Sequence, residues 1–312
     1  MKLPLKPLLF ALGGATTAYA LVLLFSGDAP LRSLLHALLT PSGAGAAALC
    51  LANYLLRGWR WRLWMAHYGR PLAWLTGWRL YLAGYTFTPT PGNVGEAARG
   101  LLLREPLSTA DSLALYGAER MADLLGLLVL TLPGWWWLLQ QPQTAGWPWA
   151  LLGVLVLAGA LALGLGLVFR AALLSRWRWL QAQWRRAAWL QGAWHCLAQR
   201  PWRWLGLTVL AWAAQGMAVW LVCQQFGLSI SALLASGIYA LAMVGGALSM
   251  LPAGLGGTEA LLSGLLAWAG APLGTALQVT VLVRLLTLWL AVGIGLLALL
   301  YSAAVRRDIS LR

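Results

Sequence analysis

Charged residues are scarce in this sequence, and acidic residues are the scarcest. Of the 312 residues, 10% are charged and 61% are apolar, with 8 acidic residues against 22 basic ones. Soluble domains carry about 25% charged residues, so most of this chain's surface cannot face water. This composition excludes a soluble enzyme and a disordered chain. The 3 cysteines lie far apart without CxxC spacing, which excludes a disulfide-stapled domain and favours packing roles for Cys50, Cys196 and Cys223.

Long apolar stretches recur along the chain instead. Each is near 20 residues long, enough to cross a hydrocarbon core about 30 Å thick. The 21 tryptophans suit the boundary between headgroups and acyl chains. We therefore predict an all-α polytopic membrane protein, a single transmembrane domain over residues 1–312. Its simple spans are predicted at about 8–25, 43–56, 111–132, 149–169, 205–224 and 276–301.

The basic residues predict the orientation of these spans. Lysines precede the first span, and arginines fill two predicted loops, one from Arg57 to Arg79 and one within 170–203. Basic loops stay on the cytoplasmic side, so we expect both loops and both chain termini there. The three histidines, His36, His67 and His195, lack metal-ligand spacing and are expected at the surface.

The second basic loop has a pattern of its own. Seven arginines alternate with tryptophans in residues 170–203, and Leu173, Trp177, Leu180 and Trp184 follow helical spacing. This pattern predicts an amphipathic helix that lies on an anionic lipid surface. Basic residues interleaved with aromatics also bind single-stranded nucleic acid, but the flanking spans favour the lipid surface.

Two apolar segments, at about 72–104 and 232–269, are interrupted by Pro and Gly. In the first, the break at 88–93 is followed by a short helix predicted from about Val94 to Leu103; in the second, a short helix is predicted from about Ala260 to Trp268. The basic loops fall on one side only if each interrupted segment enters and leaves on the same face. We therefore predict two re-entrant hairpins of broken helix.

The two interruptions share their spacing. Pro89 precedes Glu96 by seven residues, and Pro252 precedes Glu259 by seven. Arg120 then follows Glu96 by 24 residues and Arg284 follows Glu259 by 25. We predict an inverted-topology repeat of residues 43–132 and 204–302, the arrangement of transporters whose site lies between the repeats.

An interrupted helix inside a bilayer survives only where its free backbone groups face protein or a wet cavity. The start of the second half-helix then offers N–H groups and a positive dipole end to an anion. We expect such backbone contacts from glycines at the two breaks, Gly92, Gly95, Gly256 and Gly257. Close helix packing is an equally good reason for these glycines.

Several ionisable residues fall in or beside apolar helices, where a charge must be paired or face a cavity. The candidate substrate-binding set is Asn93, Glu96, Arg99, Arg120, Asp123, Glu259 and Arg284. Glu96 and Arg99, and likewise Arg120 and Asp123, share a helix face, and we expect Glu259 to pair with Arg284 across helices. The competing interpretation is a set of structural ion pairs, with Arg99, Glu119 and Asp111 near the membrane interface. Arginine's planar fork suits phosphate.

Four stretches resemble a known family. They are TPGNVGEAAR at 90–99, ERMAD at 119–123, LPAGLGGTE at 251–259 with the later Arg284, and RGWRWRLW at 57–64. In these the sequence resembles the transmembrane region of lysylphosphatidylglycerol synthases and related stand-alone flippase-like integral membrane proteins. The resemblance implies translocation of an anionic phospholipid or a polyprenyl-phosphate-linked lipid between leaflets of a bacterial cytoplasmic membrane.

Enzymatic activity is not expected from this chain. The family's lysyl-transferring members carry a large soluble catalytic domain, whereas this sequence ends soon after its last span. No cofactor or metal motif is present, and nucleic acid is not an expected partner. Two alternatives stay open, a non-catalytic membrane subunit that presents lipid to a separate cell-envelope enzyme and, less favoured, a membrane-embedded lipid–sugar transferase. A homo-oligomer is also compatible with the sequence.

Overall fold

A computed structural model describes residues 36–141, 153, 188–249 and 251–310. The described residues form helices and turns without a strand. Predicted spans at about 8–25 and 149–169 lie outside the described residues, apart from residue 153, as does most of the 170–203 segment. The helices are α1 (Pro41–His67), α2 (Trp74–Gly84), α3 (Thr109–Leu139), α4 (Ala188–Ala198), α5 (Pro201–Gln225), α6 (Ala232–Leu248), α7 (Gly257–Trp268), α8 (Leu273–Arg284) and α9 (Leu290–Ser310).

Three of these helical stretches are long and apolar enough to cross a membrane. Within the described residues they are Thr109–Leu139, Pro201–Gln225 and Leu273–Ala304. Large apolar side chains stand out from the helices, for example Leu210 at 60%, Leu233 at 70% and Leu297 at 69% exposure. Such a surface suits acyl chains rather than water. The protein is thus a helical membrane protein, as the composition indicates.

Helix α1 is longer than the predicted span at 43–56. It begins at Pro41, where the Thr40 hydroxyl accepts a hydrogen bond from the Gly43 N–H, and it continues to His67. Arg57 and Arg60 therefore lie inside the helix and are buried, not in a cytoplasmic loop. The loop prediction was wrong for these two arginines because a buried carboxylate offsets their charge.

Helix α3 also extends beyond its predicted end. Ser108 caps its first turn by accepting from the Asp111 N–H, and the helix passes through Pro133 to Leu139. The stretch between the predicted spans at 111–132 and 149–169 is thus helical over its first seven residues, 133–139. Gly134 explains part of this continuation, because a Cβ there would come within 3.0 Å of the backbone oxygen of Gly237 on α6. The backbones of the two helices are therefore in direct contact where Gly134 meets Gly237.

Both predicted interruptions are present in the backbone. The first lies between α2 and a 3-10 helix at Pro91–Leu102, where Gly92 and Asn93 adopt left-handed conformations. This 3-10 helix lies where a short helix is predicted from about Val94 to Leu103. The second lies between α6 and α7, where Ala253 has φ 53°. Left-handed backbone is unfavourable for residues with a Cβ, and asparagine tolerates it best.

The helices pack in a recurring pattern. Helix α1 lies against α5, α2 lies against α9, and α3 lies against α6. The 3-10 helix of the first interruption contacts the short turn at Pro252–Gly254 of the second. The two breaks therefore meet inside the helical bundle.

A π-helical turn at Leu285–Trp289 joins α8 to α9 without ending the helix. Such a turn contains one residue more than a regular α-helical turn and leaves carbonyls available. The Tyr54 hydroxyl of α1 approaches two of them, at 2.9 Å from the Leu286 oxygen and 3.2 Å from the Thr287 oxygen.

Candidate functional site

A cavity of about 90 Å³ lies where the two interruptions meet. Asn93 from the first break and Ala253 from the second both line it. Its charged lining residues are Arg57, Glu96, Arg120 and Arg284. A cavity of this size holds a few water molecules or a small polar group, so it is a polar site inside an apolar protein.

A buried network of charges forms one side of this cavity. Glu96, only 1% exposed, accepts from the Thr88 hydroxyl at 2.9 Å and pairs with Arg99 at 2.8 Å and with Arg120 at 3.2 Å. Arg99 also pairs with Glu119 at 2.8 Å. The predicted pair of Glu96 and Arg99 is confirmed.

Asp123 is the second centre of the network. Its carboxylate lies 2.6 Å from Arg57, 2.9 Å from Arg60 and 3.2 Å from Arg120, and it accepts from the Trp212 indole at 3.3 Å. The expected pairing of Arg120 with Asp123 is confirmed. Together the network, hereafter the arginine network, contains four arginines and three carboxylates: Arg57, Arg60, Arg99, Arg120, Glu96, Glu119 and Asp123.

The arginine network has a surplus of one positive charge. Arginine stays protonated in proteins, and each of the three carboxylates lies within ion-pair distance of an arginine. Four positive and three negative charges leave one positive charge. An uncompensated charge in a membrane interior is costly.

Two guanidinium groups also have free hydrogen-bonding capacity beside the cavity. The Nε atoms of Arg57 and Arg120 are buried and have no hydrogen-bond partner, although both side chains line the cavity. Buried polar atoms are normally hydrogen-bonded to protein, water or a ligand. Both N–H groups therefore lack a partner in this arrangement of the helices.

The second interruption supplies a simpler charge pair. Glu259 lies 2.7 Å from the Nε of Arg284, which confirms the predicted pairing. Arg284 also donates to the Ala253 carbonyl at 2.8 Å, which ties the break to α8. Arg284 lines the cavity together with Asn93 of the first break. Among the described residues, no group of three or more His, Cys, Asp and Glu side chains could hold a metal ion.

The predicted site residues fall into two groups. Asn93, Glu96, Arg120 and Arg284 line the cavity directly. Arg99, Asp123 and Glu259 form ion pairs with these residues but do not line the cavity themselves. Arg99 and Glu119 are buried at 3% and 1% exposure and pair with each other, so neither side chain extends out to the protein surface.

The four glycines do not offer free N–H groups equally. The Gly95 N–H donates to Thr90 at 2.9 Å and the Gly256 N–H donates to Glu259 at 2.7 Å, so both are occupied within the protein. The Gly92 carbonyl accepts from the Tyr116 hydroxyl. A Cβ at Gly257 would lie 2.9 Å from the Ser249 hydroxyl oxygen, which indicates close packing.

Sequence reasoning missed Arg57 and the polar aromatic residues of the cavity. Arg57 stacks on Trp212 at 5.2 Å and on Tyr85 at 5.7 Å, and Tyr239 donates to Gln215 at 3.0 Å in the same lining. Arg57 carried a detectable signal: no helix-ending residue separates it from the apolar span, and the turn at Gly69 comes later. Nothing in the sequence indicated that Tyr85 and Tyr239 would line the cavity.

The fold and the site define a helical membrane protein with a buried, positively charged cavity between two interrupted helices. Residues 8–295 match the family described as lysylphosphatidylglycerol synthase TM region, and the chain belongs to that family. A "UPF0104 membrane protein" of Methanothermobacter thermautotrophicus is 28% identical over 95 residues, which cover 30% of this chain and 28% of that relative. No solved structure matches the chain.

Proposed function

We propose that this protein translocates a lipid with an anionic headgroup between the two leaflets of the membrane, as a flippase-like transporter. The observation that carries this proposal is the positive surplus of the arginine network at a cavity with unpartnered guanidinium N–H groups. A phosphodiester brings one negative charge and several acceptor oxygens. It would neutralise the surplus and satisfy the free donors together.

We propose further that the chain contains an inverted repeat with two re-entrant hairpins. Three features support it. The Glu–Arg pair recurs at matched positions, as Glu96 with Arg120 and Glu259 with Arg284. The contacts between helices also match: if α2 of the first repeat corresponds to α6 of the second, and α3 corresponds to α9, then the contact of α2 with α9 corresponds to the contact of α6 with α3, and both contacts are present. Left-handed backbone occurs at both breaks.

Such an architecture suits transport because the binding site lies between two units that rock against each other. The cavity of about 90 Å³ has room for a phosphate group but not for a complete lipid headgroup with its glycerol. Translocation would then require an opened state in which the headgroup enters while the acyl chains stay in the lipid. We place the chain in a bacterial cytoplasmic membrane with both termini on the cytoplasmic side.

Transport is favoured over catalysis by the state of the carboxylates. A general base needs a free lone pair near the reacting proton, whereas Glu96 already accepts from Thr88, Arg99 and Arg120. Glu259 is likewise engaged with Arg284 and the Gly256 N–H. We therefore propose that these carboxylates hold arginines in place, and that the protein is not an enzyme.

The proposal is tested in proteoliposomes with fluorescent lipids whose outer-leaflet fraction is quenched chemically. We expect phosphatidylglycerol to cross faster than in empty liposomes, and Arg120→Gln or Arg284→Gln to slow it at least about tenfold through loss of one charged hydrogen bond. Arg70→Gln is the matched control, because Arg70 pairs with Glu105 at the surface. Arg120→Lys keeps the charge and separates charge from fork geometry.

Each result of this assay bears on the proposal. Equal rates for the wild type, Arg120→Gln and empty liposomes would show that the cavity moves no such lipid. Equal acceleration of phosphatidylcholine would refute selection by charge. If the wild type moves no lipid while its abundance depends on a co-purifying envelope enzyme, the protein is a subunit that presents lipid to that enzyme.

A further inference from the structure

A second cavity, of about 230 Å³, lies at the ends of α1 and α5, away from the central site. Trp64 and Trp204 are buried at its floor, and their rings lie 6.3 Å apart. His67, Arg200 and Arg203 line it with exposed side chains. We name these five residues the basic pocket. Along α1, ten residues separate His67 from Arg57, or about 15 Å of helix.

Among the residues that the structure describes, no carboxylate pairs with the positive charges of the basic pocket. Its described lining residues include no Asp or Glu. The salt bridges formed within the described chain use other arginines, namely Arg57, Arg60, Arg70, Arg99, Arg120 and Arg284. Two guanidinium groups and an imidazole around an aromatic floor therefore offer hydrogen-bond donors in several directions.

The backbone at this point is unusual. Arg200 adopts a left-handed conformation, with φ 46° and ψ 58°, immediately before Pro201 starts α5. This conformation is costly for a residue with a Cβ and without a short polar side chain. It places one arginine at the start of a 25-residue helix, where the helix dipole adds positive potential. Strained residues of this kind concentrate at binding sites.

The neighbouring surface suits a membrane boundary. Trp202, next to the pocket, is 76% exposed, and Trp189 on α4 is 42% exposed. Tryptophan indoles prefer the level of the lipid headgroups. A ligand in the basic pocket would therefore lie at headgroup depth.

We propose that the basic pocket binds a phosphate group, that of an anionic phospholipid headgroup at the membrane surface. The guanidinium groups of Arg200 and Arg203 hold the phosphate oxygens, and the tryptophan floor packs against the headgroup carbons. This site is discrete and binds one lipid, in contrast to diffuse attraction between a basic loop and the membrane. The inference does not depend on the proposed transport function.

Native mass spectrometry of the full chain, released from micelles doped with phosphatidylglycerol, tests the site. We expect Arg200→Gln/Arg203→Gln to retain one lipid fewer than the wild type and to bind short-chain phosphatidylglycerol about tenfold more weakly, because charged hydrogen bonds are lost. Arg70→Gln/Arg104→Gln is the control, since it removes the same charge from two arginines outside the pocket, one half-buried and one exposed. Equal melting temperatures show that the variants are folded.

Three outcomes overturn the inference. An equal loss of lipid in both double variants would show diffuse charge attraction, no loss in either would show that the pocket is empty, and equal retention of phosphatidylcholine would show that the anionic headgroup is not selected.

Competition with inorganic phosphate identifies the source of the phosphate. Failure to displace the lipid supports an anchored headgroup, whereas displacement with retained binding of free phosphate assigns the pocket to a soluble ion instead.

Discussion

Replacing Asp123 by Asn tests how strongly the arginine network holds the fold. This carboxylate lies within 3.2 Å of three guanidinium groups, and its side chain is 7% exposed. The substitution keeps the shape of the side chain and removes its charge. The network would then contain four arginines and two carboxylates, and its surplus would rise from one positive charge to two.

The magnitude follows from the buried partners. Removing one side of a buried ion pair costs about 3–5 kcal/mol, because the remaining charge loses its compensation. Asn still accepts one hydrogen bond, and helices that stay in the membrane find alternative partners when they separate. We therefore expect a loss of about 3 kcal/mol in the free energy of unfolding. The exposed pair of Arg70 and Glu105 provides the contrast, since surface pairs contribute at most about 1 kcal/mol.

The assay is reversible unfolding in mixed micelles titrated with denaturing detergent, on Asp123→Asn, Arg60→Gln, the double variant and Glu105→Gln. Arg60 is fully buried and lies 2.9 Å from Asp123. We expect the double variant to be less destabilised than the sum of the single variants, by about 2 kcal/mol. If Asp123→Asn unfolds like Glu105→Gln, the network contributes nothing to stability and the reasoning is wrong.

Three further predictions concern the first break and the basic pocket. Gly95→Ala should destabilise the protein by about 1–3 kcal/mol, because its Cβ would lie 2.8 Å from that of Phe87, whereas Gly206→Ala, with open space around it, should not; thermal unfolding distinguishes the two. Asn93→Ala should lower the free energy of unfolding by about 1 kcal/mol, and Asn93→Gly should lower it less, because the backbone of residue 93 is left-handed. Partial burial, His195 and Arg200 lower the pKa of His67, so its imidazole is neutral at pH 7.5. The affinity for a phosphodiester, measured by calorimetry, should therefore increase as the pH falls from about 7.5 to 5.5 and the imidazolium forms. His67→Gln should abolish this pH dependence.

Much of the site could be predicted because its residues are anomalous where they stand. A glutamate, an arginine or a Pro-Gly break within an apolar helix has few structural explanations. Glu259 has no arginine in its own helix and Arg284 has no acid in its own, which predicts that they pair with each other, and this pair is present at 2.7 Å. Local sequence therefore predicted both the breaks and that pair.

Arg57 and Arg60 show why the rest could not be predicted. Counting basic residues assigns them to a cytoplasmic loop, and the carboxylate that neutralises them, Asp123, lies more than 60 residues further along the chain. Only the packing of α1 beside α3 and α5 brings these groups together. The continuation of α3 through Pro133 has the same origin, since a glycine contact with α6 maintains a helix that local propensity would end.

The wide turn at Leu285–Trp289 lets α9 tolerate a change in length. A turn with hydrogen bonds from residue i to i+5 accommodates one extra residue without changing the phase of the helix on either side, so removing one residue there would restore a regular turn and leave the face of α9 that rests on α2 in place. The two carbonyls that Tyr54 reaches would return to the helix, and the Tyr54 hydroxyl would lose both acceptors. A single-residue deletion in this turn is therefore expected to cost the Tyr54 contact while keeping the packing of α9, and homologues that retain that contact should retain the same number of residues across it.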